Sequence, residues 1–222
     1  MTTASQQEHA AQADVEDRVR RGPSHAILNA LEAPDVVLAL WERSLPTYVR
    51  QGLDATASAA LPDLDVEGTP DVIIAEAERA VVESGIGFEA VKAWLVSDLD
   101  GLVHRLSRMT GDRNLDLQLK VVTGDACRYF HIDAVPARLM CTYIGPGTQW
   151  IAPSLAGRES TGAGGTDCVL ERPGLIHQMD RGAVAAFRGG LGPQRCDGLV
   201  HRSPPIEAAG ARRYVLNITP RR

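Results

Sequence analysis

Residues 128–150 read RYFHIDAVPARLMCTYIGPGTQW. Apolar, aromatic and β-branched residues dominate, which predicts strands over 127–133 and 137–144, with the second closed by the Gly145-Pro146-Gly147 turn. Strand residues two apart share a face. His131 and Asp133 are therefore expected to point the same way, with Ile132 opposite. A buried carboxylate must find a cation or several hydrogen bonds. A divalent metal held by both side chains would satisfy it.

Downstream and just upstream, the sequence keeps a β character. Leu115, Leu117, Leu119 and Val121 alternate with Asp116, Gln118 and Lys120. Further strands are expected over 166–170, 174–179, 183–188 and 212–219, between Gly/Pro/Ser-rich loops at 152–165 and 189–198. The first half reads as helix. Val37, Leu40, Trp41 and Leu45 fall at helical spacing in a helix from Asp35 to about Leu53, interrupted at Pro46, and LPDLDVEGTP (61–70) reads as a loop. Thr69 and Pro70 suit the cap and first position of a helix through Val82, broken by Ser84-Gly85. Phe88, Val91, Leu95, Leu99, Leu102 and Leu106 then mark an amphipathic helix, with His104 on its solvated side. The expected fold class is α+β: helices packed on an antiparallel double sheet of jelly-roll or cupin type. Residues 1–22 are expected to be a disordered tail and 23–222 one domain, helical over 23–111 and a barrel over 112–222.

Composition narrows the function. The 222 residues carry a net charge of −5, with 44% hydrophobic and 23% charged residues. These are ordinary values for a soluble globular protein. No basic run favours nucleic acid, and no apolar stretch is long enough for a membrane span or a signal peptide. Cys127, Cys141, Cys168 and Cys196 form no CxxC pair, so buried reduced thiols in a cytoplasmic protein are expected.

A third metal ligand is wanted. His201, in GLVHRSPP, ends a short apolar run, and His177, in LIHQM, competes with it. Two histidines and one carboxylate make the facial triad of non-haem Fe(II) oxygenases. Beyond His201 a final strand opens with Arg212 and Arg213, and guanidinium suits bidentate binding of a carboxylate. In these features, over roughly 115–219, the chain resembles the Fe(II)/2-oxoglutarate-dependent oxygenases.

That resemblance implies a double-stranded β-helix, metal ligation by His131, Asp133 and His201, and Fe(II) with 2-oxoglutarate as co-substrate. It implies that Arg213, or its neighbour Arg212, binds the far carboxylate of the co-substrate, with Tyr143 a further donor. It also implies O2 and a small-molecule or peptide substrate. Arg128 is a candidate substrate contact, Trp150 a candidate pocket wall, and 152–165 a candidate lid. Taken together, 130–150 and GLVHRSPP also look like an uncharacterised bacterial domain-of-unknown-function family. Two other classes stay open: a cupin-like metal enzyme that does not use 2-oxoglutarate, and a non-catalytic barrel that binds a metal or small molecule. A zinc hydrolase is less favoured, because it would want a positioned general base near the metal and no HExxH or similar motif is present.

Overall fold

The computed structural model describes residues 18–125, 127–152, 156–161, 165–170, 175–191 and 198–221. In chain order the strands are β1 (Val19–Gly22), β2 (Leu38–Trp41), β3 (Leu64–Gly68), β4 (Asn114–Val122), β5 (Ala137–Ile144) and β6 (Gln149–Ile151). They continue as β7 (Ala156–Thr161), β8 (Gly165–Leu170), β9 (His177–Gln178), β10 (Val184–Arg188), β11 (Val200–Arg202) and β12 (Arg213–Arg221). The helices α1 (Thr47–Ala55), α2 (Pro70–Glu83) and α3 (Glu89–Thr110) all precede β4, and a 3-10 segment spans His25–Glu32. The fold is mixed α+β.

A seven-stranded sheet runs β1-β2-β10-β5-β12-β4-β3, antiparallel apart from the parallel β1–β2 pair. One face carries the helices. Val91, Leu95, Leu99, Leu102 and Leu106 of α3 share a core with Leu117 and Leu119 of β4, Leu139 and Tyr143 of β5, and Tyr214, Leu216 and Ile218 of β12. Strand alternation sends the intervening residues to the other face. There Met140, Phe187 and Val215 pack with Trp150 and Leu199, so the second sheet, β11-β6-β9, covers that side. α3 ends at Gly111, whose φ of 71° suits a left-handed glycine cap. No described helix is long and apolar enough to cross a membrane.

Several sequence expectations change here. The helix expected over Asp35–Leu53 is strand β2, a turn and the shorter α1. Leu38, Ala39 and Leu40 are all buried, with Ala39 in the helix-side core and Leu38 and Leu40 between the sheets. A strand buried on both faces reads as a continuous apolar run, which periodicity cannot separate from helix. Val19–Gly22, expected in the disordered tail, is β1, and 1–17 lie outside the described residues. The loop expected at 61–70 holds β3, whose Leu64 and Val66 face the core while Asp65 and Glu67 face away. Phe88 leaves the α3 stripe and is exposed at its N-cap. The strand expected over 127–133 is reduced to one bridge, His131 to His201. β7 runs through the expected 152–165 lid and β8 starts at its last residue, while 153–155 and 162–164 lie outside the described residues. Cys127 is exposed and Cys141 buried, whereas Cys196 and the side chain of Cys168 lie outside the described residues.

Candidate metal centre

His131 sits in irregular chain between β4 and β5, and backbone hydrogen bonds fix it. Its N–H donates to His201 C=O and the His201 N–H returns the bond, each at 3.0 Å. The following loop is pinned by Gly190 N–H to Asp133 C=O at 2.7 Å and Gly189 N–H to Pro136 C=O at 3.2 Å. On the second sheet His201 is paired with Trp150, and Trp150 with His177. Directly opposed residues of an antiparallel ladder share a face. His131, His201, Trp150 and His177 therefore form one cross-strand row.

One ligand atom from each of His131, Asp133 and His201 lies within 4.8 Å of the others. His131 Nε2 is 3.4 Å from Asp133 Oδ1, and His201 Nε2 is 3.4 Å from Asp133 Oδ2. His201 is 3% exposed, and its ring lies against those of His131 and Phe187, with centroids 4.7 and 4.9 Å away. The tautomers follow from the outer contacts. His131 Nδ1 faces Tyr129 C=O at 2.9 Å, and His201 Nδ1 faces Leu199 C=O at 3.1 Å. A carbonyl only accepts, so each Nδ1 carries a proton, and a ring that is neutral turns its Nε2 lone pair towards Asp133. A cation, or a proton on Nε2, is then needed between each ring and the carboxylate. Backbone-anchored Nδ1–H is also the arrangement that orients histidine ligands in metal sites.

Burial acts to raise the Asp133 carboxyl. Its neighbours His131 and His201, then the charge of Arg138, outweigh burial and hold it well below the ordinary carboxylate range. Close contact with Asp133 raises His131, against the opposing effect of burial. Asp133 Oδ2 is buried and lies 2.8 Å from Arg138 Nη1, but its contacts are charge contacts without hydrogen-bond geometry. A largely buried carboxylate short of directional partners, beside two imidazole nitrogens, is a donor set that fits a divalent metal of borderline character.

Arg213 is the other buried charge, 2% exposed. Nε donates to Pro146 C=O (2.8 Å), Nη1 to Ser203 Oγ (2.9 Å), and Nη2 to Thr142 Oγ1 (3.2 Å) and Thr148 Oγ1 (2.9 Å). All four acceptors are neutral, and no carboxylate among the described residues pairs with it. Burial pushes it down to about 10. Gly145, at φ 79°, makes the turn that brings Pro146 there, and a Cβ on it would strike the Arg212 carbonyl.

The remaining candidates separate by side. Tyr143, expected to face a co-substrate, is on the helix side, where its OH donates to Asp98 Oδ2 at 2.7 Å. Strand parity is the reason: Thr142, one residue earlier, is the one that reaches Arg213. Arg212 ties the chain after α1 in place through Ser58 Oγ, Asp54 C=O and Thr56 C=O. His177 lies outside the three-ligand group and stacks on Trp150 at 4.3 Å. The indole N–H of Trp150 is buried with no hydrogen-bond partner among the described residues. Arg128 lies over the exposed Tyr129 ring. Thr142, Thr148, Ser203 and Arg138 were not assigned from the sequence. Parity places Arg138 and Thr142 opposite Tyr143, but nothing local marks Thr148 or Ser203.

Among solved structures, a Pseudomonas putida prolyl-4-hydroxylase aligns over 90% of this chain and 97% of its own, at 16% identity and a TM-score of 0.39. A Shewanella oneidensis protein classed provisionally as an oxygenase aligns over 91% of this chain and 89% of its own, at 13% identity and a TM-score of 0.37. A bsmA homologue from Methylobium petroleophilum aligns over 58% and 50%, at 12% identity and a TM-score of 0.30. Likenesses this distant carry no argument about activity. No curated protein matches the chain. The profile of DUF1826, described as a protein of unknown function, matches residues 22–218, and the chain belongs to that family.

Proposed function

We propose that the protein is a non-haem Fe(II), 2-oxoglutarate-dependent oxygenase that hydroxylates its substrate, with the metal on His131, Asp133 and His201. In this reading β11-β6-β9 and the facing part of the large sheet form a double-stranded β-helix. The observation that carries the proposal is Arg213: a buried guanidinium with no carboxylate partner among the described residues, hydrogen-bonded to Ser203 two positions after His201. An unpaired buried charge is costly. A dicarboxylate that chelates a metal at one end needs a cation at the other.

Bound Fe(II) would supply dioxygen activation coupled to oxidative decarboxylation of the 2-oxo acid. The chain's own groups do the rest. Asp133 offsets part of the metal charge, and the backbone-anchored imidazoles hold their Nε2 atoms inward. Arg213 receives the far carboxylate. Thr142 and Ser203 accept from Arg213, which leaves their O–H groups to donate to that carboxylate. Burial of His201 and Arg213 keeps water from their side of the site and strengthens these contacts.

The test is succinate formation from 2-oxoglutarate in the presence of Fe(II) and O2 without added substrate. Slow turnover that requires the metal, and is lost in Arg213→Met and His201→Ala, is the expected result. A protein that holds Fe(II) in stoichiometric amount yet neither binds nor consumes 2-oxoglutarate would overturn the proposal in favour of a metal site of another kind.

A further inference from the structure

We infer that Arg138 is a positioning residue that confines Asp133 to ligation through one oxygen and adds a positive charge to the centre. The inference rests on the metal reading above but not on 2-oxoglutarate. Arg138 Nη1 lies 2.8 Å from Asp133 Oδ2, nearer than either histidine lies to the carboxylate. Its Nε donates to Thr219 Oγ1 of β12 at 3.3 Å, which holds the guanidinium in place from a second strand. Both partners belong to the inner face: Arg138 shares strand parity with Met140 and Thr142, and Thr219 with Arg213 and Val215. The Asp133 side chain is 11% exposed and that of Arg138 24%, so water screens the pair only partly.

Two consequences follow. Arg138 draws Oδ2, which also faces His201, so Oδ1, which faces His131, is the oxygen left to ligate and the carboxylate takes one coordination position rather than two. The Arg138 charge also offsets that of Asp133. Two neutral imidazoles and a compensated carboxylate then leave a bound divalent ion with nearly its full charge. Such a centre holds its metal less tightly than an uncompensated one and attracts anionic chelators more strongly.

Co(II) is the probe, because it binds borderline N/O sites, is stable in air, and its d–d absorption reports coordination number. Wild type, Arg138→Met and Arg138→Lys are titrated with Co(II), with thermal melts confirming that each is folded. Arg138→Met is expected to bind Co(II) about tenfold more tightly, the lower end of what a close charge pair contributes. Its d–d intensity should fall as a second carboxylate oxygen enters. Arg138→Lys restores the charge and should return the affinity most of the way to wild type. A role confined to stability would leave both readouts unchanged in folded protein. Overturning results are wild-type affinity and spectrum in folded Arg138→Met, or weaker Co(II) binding in it. If wild type binds no Co(II), the metal reading fails and this inference with it. Should Arg138→Met not fold, the decision rests on Thr219→Val. That change frees the guanidinium from its second strand and should shift Co(II) affinity in the same direction; an unchanged affinity would overturn the inference.

Discussion

His131 and His201 exchange backbone hydrogen bonds in both directions at 3.0 Å, although they lie far apart in sequence. This one bridge registers the irregular chain after β4 against the second sheet. It fixes two imidazoles on one face without a continuous strand between 127 and 133. The metal-type cluster is thus built by the backbone first and the side chains second.

The pairing distinguishes His201 from His177. His201→Ala removes a proposed ligand and should weaken Co(II) or Zn(II) binding by more than about a hundredfold, since outer partners of metal ligands alone account for 10–100-fold. His177→Ala removes a stacking partner of Trp150 and should leave metal stoichiometry at wild type. Metal titration of the two variants checks this. The reverse order of effects would make His177 the ligand.

Tyr143 belongs to stability. Its OH and both terminal nitrogens of Arg43 converge on Asp98, with Arg43 Nη2 to Asp98 Oδ2 at 2.7 Å, and this network ties α3 to β5. Tyr143→Phe should destabilise by about 1–3 kcal/mol, because a buried carboxylate loses a donor. Arg43→Met leaves that charge unpaired and should cost about 3–5 kcal/mol. Denaturant melts check both values. In protein that remains folded, 2-oxoglutarate affinity should be unchanged for Tyr143→Phe.

Arg213 yields a pH dependence. Burial lowers it to about 10, so it is charged in the free protein below that pH and loses its proton as pH rises through it. An anion that binds only the charged form should bind with constant affinity below about pH 10 and then about tenfold more weakly per pH unit. An ordinary arginine would show no such loss before about pH 12. Titration of succinate into metal-free protein, followed by calorimetry across this range, isolates the effect from metal hydrolysis.

Thiol labelling tests the layering of the fold. Burial pushes Cys141 up to about 12, and it faces the helices, whereas Cys127 is exposed. In native protein iodoacetamide should modify Cys127 and spare Cys141, as read by peptide mass mapping. Equal rates at the two sites would contradict the placement of β5 at the centre of the sheet.

The sequence made β4 and α3 legible because each carries a clean period, strict alternation in 115–121 and three-and-four spacing in 91–106, and β5 legible as an apolar run closed by the Gly145-Pro146-Gly147 turn. β2 was illegible because both its faces are buried, and β3 because its acidic, glycine-ended run looks like a loop. At the site, the residue types His-X-Asp and the later His were enough to nominate His131, Asp133 and His201. The same-face argument reached them through a strand that is only a bridge. Tyr143 was misplaced because parity fixes which residues share a face but not which face is inside. The helix-side core decides that, and it claims Tyr143 and leaves Thr142 to Arg213. Thr148 lies just before β6 and Ser203 just after β11, and the two meet only in three dimensions.

The most direct test of the central claim is the visible spectrum of the protein with Fe(II) and 2-oxoglutarate, recorded without oxygen. Chelation of a ferrous ion by the 2-oxo acid gives a weak metal-to-ligand charge-transfer band. The account predicts such a band in wild type, its loss in His201→Ala, and a requirement for much higher 2-oxoglutarate in Arg213→Met. Absence of the band from wild-type protein that retains stoichiometric Fe(II) would contradict it.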